Sequence, residues 1–367
     1  MSKQFFPLTV KNIERETADA VSITLHVPAE LRQQFAFSQG QYLTLKFHFD
    51  GQEVRRAYSL SSSPLEQDWR ITAKAVAGGK ASVYLCQQLR QGDTLDVMPP
   101  EGRFFTPLRE TNAVNYYLFA AGSGITPVFS ILKTILELEP RSTIFLLYGN
   151  RQAESIIFKN QLDQLQQHYT GQLFVEHILS QPREQREPGL GGFFKKKISA
   201  WPGRTGRISP ATVKDFLAEY PPRAPHSEYF ICGPGDMLIH TRDTLLAEGI
   251  PAKHIHTESF GNEPVATAPG QATTGANSIA KVHLDGRLIE VRVPQSSSVL
   301  RALSDAGYDP PYSCSSGSCS TCIAKLLSGQ VKMDVCLALD PDEVAAGYIL
   351  TCQSHPLTPQ VELTYDV

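Results

Sequence analysis

The chain has no surplus of positive charge: 34 Lys and Arg stand against 37 Asp and Glu, a formal net charge of −3 over 367 residues. Without a basic excess or a lysine- and arginine-rich tail, there is no electrostatic footprint for a nucleic-acid backbone, and no nucleic-acid partner is expected. The opening stretch MSKQFFPLTVKNIERET lacks an apolar segment followed by a small-residue cleavage site, so the expected location is cytoplasmic rather than exported. An unbroken apolar run is missing as well. The nearest, Tyr116 to Leu132, is uncharged for about 17 residues against the roughly 20 that a bilayer demands, and Gly122, Ser123, Gly124 and Pro127 interrupt it. With no export signal, the seven cysteines argue for a metal site in a reducing compartment rather than for disulfides.

What is there is globular: 41% hydrophobic and 19% charged, in a chain too long for one domain of roughly 100–200 residues. From Phe5 to about Phe105, short β-like stretches alternate with turns: Val21 to Val27, Tyr42 to Phe49, and Arg70 to Val76, where Ile71, Ala73 and Ala75 recur at every second position. This pattern predicts a small antiparallel barrel or sandwich. From about Asn112 to Phe260, solid apolar runs (Tyr117 to Ala121, Ile144 to Tyr148, Tyr229 to Cys232) alternate with helical patterns, which predicts an α/β domain with a parallel sheet.

Val128, Ile131, Leu132, Ile135 and Leu136 keep helical spacing, with Thr126 the expected N-cap and Pro127 in the first turn. Further helices are expected from about Ser155 to Gln167 and from about Asp236 to Glu248. Residues 181–207, rich in Pro, Gly, Arg and Lys, match no regular element and read as a surface insertion. The segment PVATAPGQATTGAN has the composition of a tether. Beyond it, Ser278 to Val367 carries six Lys and Arg against ten Asp and Glu, an acidic module. The expected divisions are 1–107, 108–261, a linker at 262–277, and 278–367.

Four motifs carry chemistry. Cys314, Cys319 and Cys322 form C-x4-C-x2-C, and Cys352 follows after 29 intervening residues, the spacing of a 2Fe-2S cluster held by four thiolates. Ser313, Ser315, Ser316, Gly317 and Ser318 are small enough to let the loop close round a cluster and point amides at sulfur. A structural zinc site usually shows two paired knuckles, whereas only Cys319 and Cys322 form one here. Cys86 and Cys336 read as packing residues.

RAYSLSSSP sets Arg56 and Tyr58 on one face of a strand with Ser59 following; a cation beside a phenol suits a phosphate and a ring, and equally suits strand packing. Gly78, Gly79 and Ser82 in GGKAS form a turn entering a short helix, whose free amides can receive a pyrophosphate or simply close a hairpin. AGSGITP, holding Gly122, Gly124 and Thr126, joins a buried strand to a helix and offers the same choice between a dinucleotide phosphate and a plain turn; it is not the GxGxxG fingerprint. Cys232, Gly233 and Pro234 end a strand at the carboxyl edge where open α/β sheets bind ligands.

Ser278 to Val367 resembles the plant-type ferredoxins, and the resemblance implies Cys314 and Cys319 on one iron, Cys322 and Cys352 on the other. Ser315 departs from the Arg or Lys common there. Taken in order, RxYS, GGxxS, AGSGITP, CGP and the cysteines resemble the ferredoxin-NADP reductase family fused to a ferredoxin, over nearly the whole chain. LLYGNRQAESIIF (146–158) and GQVKMDVCLALDPDEVAAGYILTCQSHP (329–356) narrow the resemblance to reductase components of the phenylacetyl-CoA epoxidase type.

This resemblance implies a multidomain α+β chain: an antiparallel flavin-binding β-barrel, an α/β parallel-sheet nucleotide-binding domain and a C-terminal β-grasp-like 2Fe-2S ferredoxin domain. It further implies that Arg56, Tyr58 and Ser59 contact the flavin and its phosphates, with Gly78, Gly79 and Ser82 at the pyrophosphate of FAD. Gly122, Gly124 and Thr126 would meet the nicotinamide dinucleotide, Cys232 and Gly233 the nicotinamide, and Phe260 the flavin ring. Arg151 or Arg183 would neutralise the extra phosphate of NADPH, which is preferred over NADH. Electrons would pass from NADPH through FAD and the 2Fe-2S cluster to an oxygenase component. The alternatives are another protein acceptor, such as a desaturase or hybrid-cluster protein, and a redox-sensing module that would need neither flavin nor nucleotide motifs.

Overall fold

The computed structural model describes residues 4–187, 196–199, 201–260, 278–339 and 341–366. The first 101 residues supply β1 (Phe6–Thr17), β2 (Ala20–His26), β3 (Tyr42–Phe49), β4 (Gln52–Ser59), β5 (Trp69–Lys74), α1 (Lys80–Gln87) and β6 (Thr94–Glu101). The strands pair antiparallel in the order β4-β3-β6-β1-β2-β5, and a bridge between Leu60 and Ile71 brings the end of β4 against β5 to close a barrel. Leu8, Ile23, Leu43, Leu45, Ile71 and Leu85 fill its interior.

The central module holds β7 (Val114–Ala121), α2 (Ile125–Leu138), β8 (Thr143–Asn150), α3 (Lys159–His168), β9 (Leu173–Leu179), β10 (Glu184–Glu187), β11 (Lys196–Ser199), β12 (Arg204–Thr205), α4 (Pro210–Glu219), β13 (His226–Gly233), α5 (Gly235–Ala247) and β14 (Ile255–Ser259). Its sheet, β12-β9-β8-β7-β13-β14, is parallel throughout. Helices α2 and α3 cover one face, α4 and α5 the other. Burial on both faces is why these strands read as continuous apolar runs.

Three expectations need correction. Residues 181–207 are not devoid of regular structure: β10 and β11 form an antiparallel hairpin and β12 adds to the sheet edge. The strands EQRE and KKIS carry charge where a strand pattern needs alternating apolar residues, so no period marked them. Thr126 is not the N-cap of α2. Gly122–Gly124 make a 3-10 turn, the helix begins at Ile125, and Thr126 donates to the Ser123 carbonyl at 3.0 Å. Helix α3 starts only at Lys159, because Ala153–Ser155 form a separate 3-10 turn and Phe158 sits at φ 62°. The expected tether, 262–277, lies outside the described residues.

The C-terminal module holds β15 (Ser278–Leu284), β16 (Arg287–Val293), α6 (Val299–Asp305), β17 (Ile323–Ser328), β18 (Val331–Met333), α7 (Pro341–Ala345), β19 (Tyr348–Leu350), β20 (Ser354–Pro356) and β21 (Gln360–Thr364). Its mixed sheet runs β16-β15-β21-β17-β19, with β15 and β21 parallel, and α6 packs Val299, Ala302 and Leu303 into its core. Among the described residues, no helix is long and apolar enough to cross a membrane.

The two joints between modules differ in kind. Barrel and central module share one apolar core, in which Ala20 and Phe104 pack with α2 and β7 and the Phe104 ring meets Phe230 edge-on at 5.3 Å. Barrel and C-terminal module meet through polar groups. The Arg55 side chain, only 6% exposed, reaches Asp309 and Glu53 at 2.7 Å each, while Arg103 pairs with Glu343. The Arg55 guanidinium also lies over the Tyr312 ring at 4.4 Å and the Phe5 ring at 5.0 Å. Asp309 is itself 69% exposed, so solvent screens part of its attraction. Replacing Arg55 by Ala is expected to weaken docking of the C-terminal module by about 1–2 kcal/mol. The check is hydrogen exchange over residues 305–314, which rises in the variant while the barrel core stays protected; unchanged exchange there contradicts the assignment.

Candidate functional site

The four cluster cysteines lie on the loop from α6 to β17 and just after β19. Gly317 at φ 74° and Ser315 at φ 55° turn that loop tightly enough to aim its amides inward. The Ser316 amide donates to Cys314 Sγ at 3.4 Å and the Cys314 amide to Cys319 Sγ at 3.5 Å. Cys322 is tied to the segment carrying Cys352 because its carbonyl accepts from both the Thr351 amide (3.1 Å) and hydroxyl (3.0 Å). The hydrogen bond with Cys319 holds the Cys314 thiol down near about 5, helped by the Ser316 and Ser318 amides against the opposing effect of burial.

The sulfurs associate as two pairs, Cys314 with Cys319 and Cys322 with Cys352. No three His, Cys, Asp or Glu side chains among the described residues converge on a single ion. Two pairs of thiols with inward amides fit a two-iron cluster, one pair per iron, better than one tetrahedral zinc.

At the carboxyl edge of the parallel sheet, two motifs more than a hundred residues apart come together. Strands β7 and β13 are neighbours, Ala120 beside Cys232, so AGSGITP and CGP emerge side by side. A Cβ on Gly124 would stand 2.1 Å from the Cys232 carbonyl oxygen, which only glycine avoids. The Tyr148 hydroxyl donates to the Gly122 carbonyl at 3.0 Å and holds the turn from beneath. Gly122, Gly124, Cys232 and Gly233 therefore form one backbone-lined edge. Thr126 is 2% exposed and spends its hydroxyl locally. Arg151 is exposed just past β8; Arg183, 72% exposed, pairs with Glu154 at 3.1 Å.

On the barrel, Arg56 and Tyr58 share one face of β4, with Arg56 exposed and Tyr58 half-buried. Ser59 points the other way and is buried. Gly78, at φ 75°, and Gly79 lead into α1, where Ser82 accepts from the Val76 amide and donates to the Gly79 carbonyl, both at 3.2 Å. A Cβ on Gly79 would come within 2.6 Å of the Ser82 oxygen. The turn is thus an open cradle of amides at the N-terminus of an eight-residue helix, fit for a pyrophosphate.

Sequence reasoning missed Glu258. It lies on β14 beside Cys232 of β13, and Phe260, 38% exposed, follows two residues on. Ser59 and Glu258 are both buried, and the Ser59 hydroxyl is the hydrogen-bonding neighbour of the carboxyl. Burial pushes the Glu258 carboxyl up to about 8, with the nearby Ser59 hydroxyl acting in the opposite sense; burial, reinforced by Glu258, also raises the Cys232 thiol well above its usual range. The only hint in the sequence is a carboxyl two residues before Phe260, at the close of the α/β pattern. Glu258 also lines a cleft of about 130 Å³ that receives Tyr42 and Phe104 from the barrel and Cys319 from the cluster loop.

Three family models match the chain in succession: an oxidoreductase FAD-binding domain over residues 7–106, an oxidoreductase NAD-binding domain over 118–243, and a 2Fe-2S iron-sulfur cluster binding domain over 282–357. The chain is 38% identical to one of the subunits of 1,2-phenylacetyl-CoA epoxidase from Escherichia coli (strain K12), covering 99% of this chain and 98% of that one. It is 35% identical to the ferredoxin reductase component of 3-ketosteroid-9-alpha-monooxygenase of Rhodococcus rhodochrous, covering 98% and 96%. Among solved structures, phthalate dioxygenase reductase shares the fold with a TM-score of 0.57 at 24% identity, covering 98% of each chain.

The raised carboxyl leaves a mark on stability. The native chain holds the Glu258 proton up to about 8, whereas the unfolded chain releases it near the ordinary value of 4.5. Its contribution is therefore fully present below the lower value and is lost as pH rises towards the upper one. Thermal unfolding from pH 5 to pH 8 is expected to show a fall in Tm that is flattened in Glu258→Gln. Equal slopes for the two proteins would contradict the shifted carboxyl.

Proposed function

The chain belongs to the ferredoxin-NADP reductase-type flavoproteins fused to a 2Fe-2S ferredoxin module, reductase components that use NAD(P)H and FAD, and from that premise we propose that it supplies electrons to an oxygenase. The relatives named above belong to an epoxidase and a monooxygenase, which supports an acceptor of the phenylacetyl-CoA epoxidase type or a related hydroxylase. The observation that carries the reading is the cleft lined together by Glu258, Tyr42 and Cys319, which supports a short path from a flavin beside Glu258 to the cluster loop. We assign the divisions 1–107, 108–261 and 278–367 to flavin, nucleotide and cluster binding, and a cytoplasmic setting, where thiolates stay reduced.

When bound, FAD takes two electrons from NAD(P)H as a hydride and gives them up singly, which matches the one-electron capacity of a 2Fe-2S cluster. The chain's own residues orient and tune. Arg56, Tyr58 and the Gly78–Gly79 cradle with Ser82 hold the flavin and its pyrophosphate. Gly122, Gly124 and Gly233 present backbone to the dinucleotide, with Cys232 and Phe260 bordering the nicotinamide and flavin rings. The Glu258 carboxyl, raised by burial, lies beside the Ser59 hydroxyl and would hold a proton there.

Two experiments test this. Mixed with the oxygenase component of a phenylacetyl-CoA epoxidase and its thioester substrate, the holoprotein is expected to couple NAD(P)H oxidation to product formation. Uncoupled oxidation with no product there, alongside product with a steroid hydroxylase or another acceptor, would redirect the assignment. Arg183 and Arg151 are proposed to meet the extra phosphate of NADPH, so Arg183→Ala is expected to raise KM for NADPH about tenfold and leave NADH unchanged. A matching rise for both nucleotides would count against that role.

A further inference from the structure

Strand β3 presents two hydroxyls at alternate positions, Tyr42 and Thr44, to the loop that carries the cluster cysteines. Tyr42 Oη lies 2.7 Å from Thr321 Oγ1, and Thr44 Oγ1 donates to Ser313 Oγ at 3.1 Å. All four side chains are buried. Ser313 immediately precedes Cys314 and Thr321 follows Cys319 by two residues, so the two contacts bracket one pair of ligands. Thr321 carries the link onward, because its Oγ1 lies 3.6 Å from Cys319 Sγ, accepting from the free thiol and able to donate to a thiolate.

The two halves of the ligand set therefore face different surroundings. Cys322 and Cys352 sit in their own module's apolar core with Leu300, Leu339 and Leu350. Cys314 and Cys319 are held against the barrel. Tyr42 is also the cross-strand partner of Ser59, the hydroxyl directed toward Glu258, and Tyr42, Glu258 and Cys319 line one cleft.

Resting on the electron-delivery reading, we propose that Tyr42 and Thr44 are positioning residues that seat the cluster loop so that the Cys314–Cys319 side receives electrons from the flavin module. Each transfer moves one electron and no atoms. The flavin loses one of the two electrons that arrived with the hydride, and a diferric cluster becomes one ferrous and one ferric ion. The second electron follows once the first has left for the acceptor. A buried hydroxyl pair seats the loop by direction as well as distance, since Tyr42 Oη, Thr44 Oγ1 and Ser313 Oγ make their hydrogen bonds across the joint.

The test uses the full holoprotein with Tyr42→Phe, Thr44→Val, Thr44→Ser and the Phe/Val double variant. In anaerobic stopped flow with NADPH, flavin bleaching is expected at the wild-type rate in all four. Cluster reduction is expected to fall roughly 3- to 10-fold in Tyr42→Phe and in Thr44→Val, further in the double variant, and to recover in Thr44→Ser. A second readout needs no turnover: hydrogen exchange over residues 312–322 of the cofactor-free chain rises in the double variant. Cluster reduction at the wild-type rate in the double variant overturns the proposal, whether or not exchange rises. A wild-type chain that bleaches its flavin and never reduces its cluster overturns the electron-delivery reading instead, and exchange still decides whether the two hydroxyls seat the loop.

Discussion

Arg55 carries its charge into the joint between barrel and cluster module, and the chemistry of that burial governs how firmly the cluster is held. A guanidinium taken out of water gives up several kcal/mol of solvation, which the carboxylates of Asp309 and Glu53 offset, so that its charged form stays favoured. Hydroxyl contacts across the same joint contribute on the order of 1 kcal/mol each. Such a set is strong on direction and weak on affinity. The joint between barrel and central module is the reverse: Ala20 and Phe104 sink into a shared apolar core, where area removed from water stabilises steadily and without directional demand. Among the described residues, no apolar cluster bridges barrel and cluster module in that way.

The contrast makes functional sense. Nucleotide and flavin must stay in one geometry through every hydride transfer, which calls for a permanent joint. The joint to the cluster module is polar instead, and directional contacts fix its register. The surplus of acidic residues on that module, ten against six basic, gives it a charge by which a partner can orient it.

How much of this was legible depends on whether a feature follows a local rule. The cysteine quartet was readable because cluster ligands must sit at short fixed spacings, and Tyr42–Phe49 because a barrel strand advertises itself in β-formers. The start of α2 was misjudged by a few residues, since a 3-10 turn of two glycines and a serine looks like a loop followed by a capping threonine. The hairpin β10–β11 escaped because its strands are charged. Non-local facts were harder still. Nothing in RAYSLSSSP says that Ser59 turns from Tyr58 toward a carboxyl 199 positions later; that follows only from the β13–β14 register and the closure of the barrel against the sheet.

That corner also breaks the usual rule for buried polar groups. Glu258 is fully enclosed with the Ser59 hydroxyl as its hydrogen-bonding neighbour, too little to solvate a buried charge, and Cys232 sits beside them with its thiol raised. Packing alone would replace the carboxyl with an apolar residue, as the neighbouring positions Ile255 and Ile231 do. Burial that lifts the carboxyl to about 8 favours its neutral form, the form a buried strand position bears at least cost. An ionised Glu258 would also repel a thiolate at Cys319, which lines the same cleft.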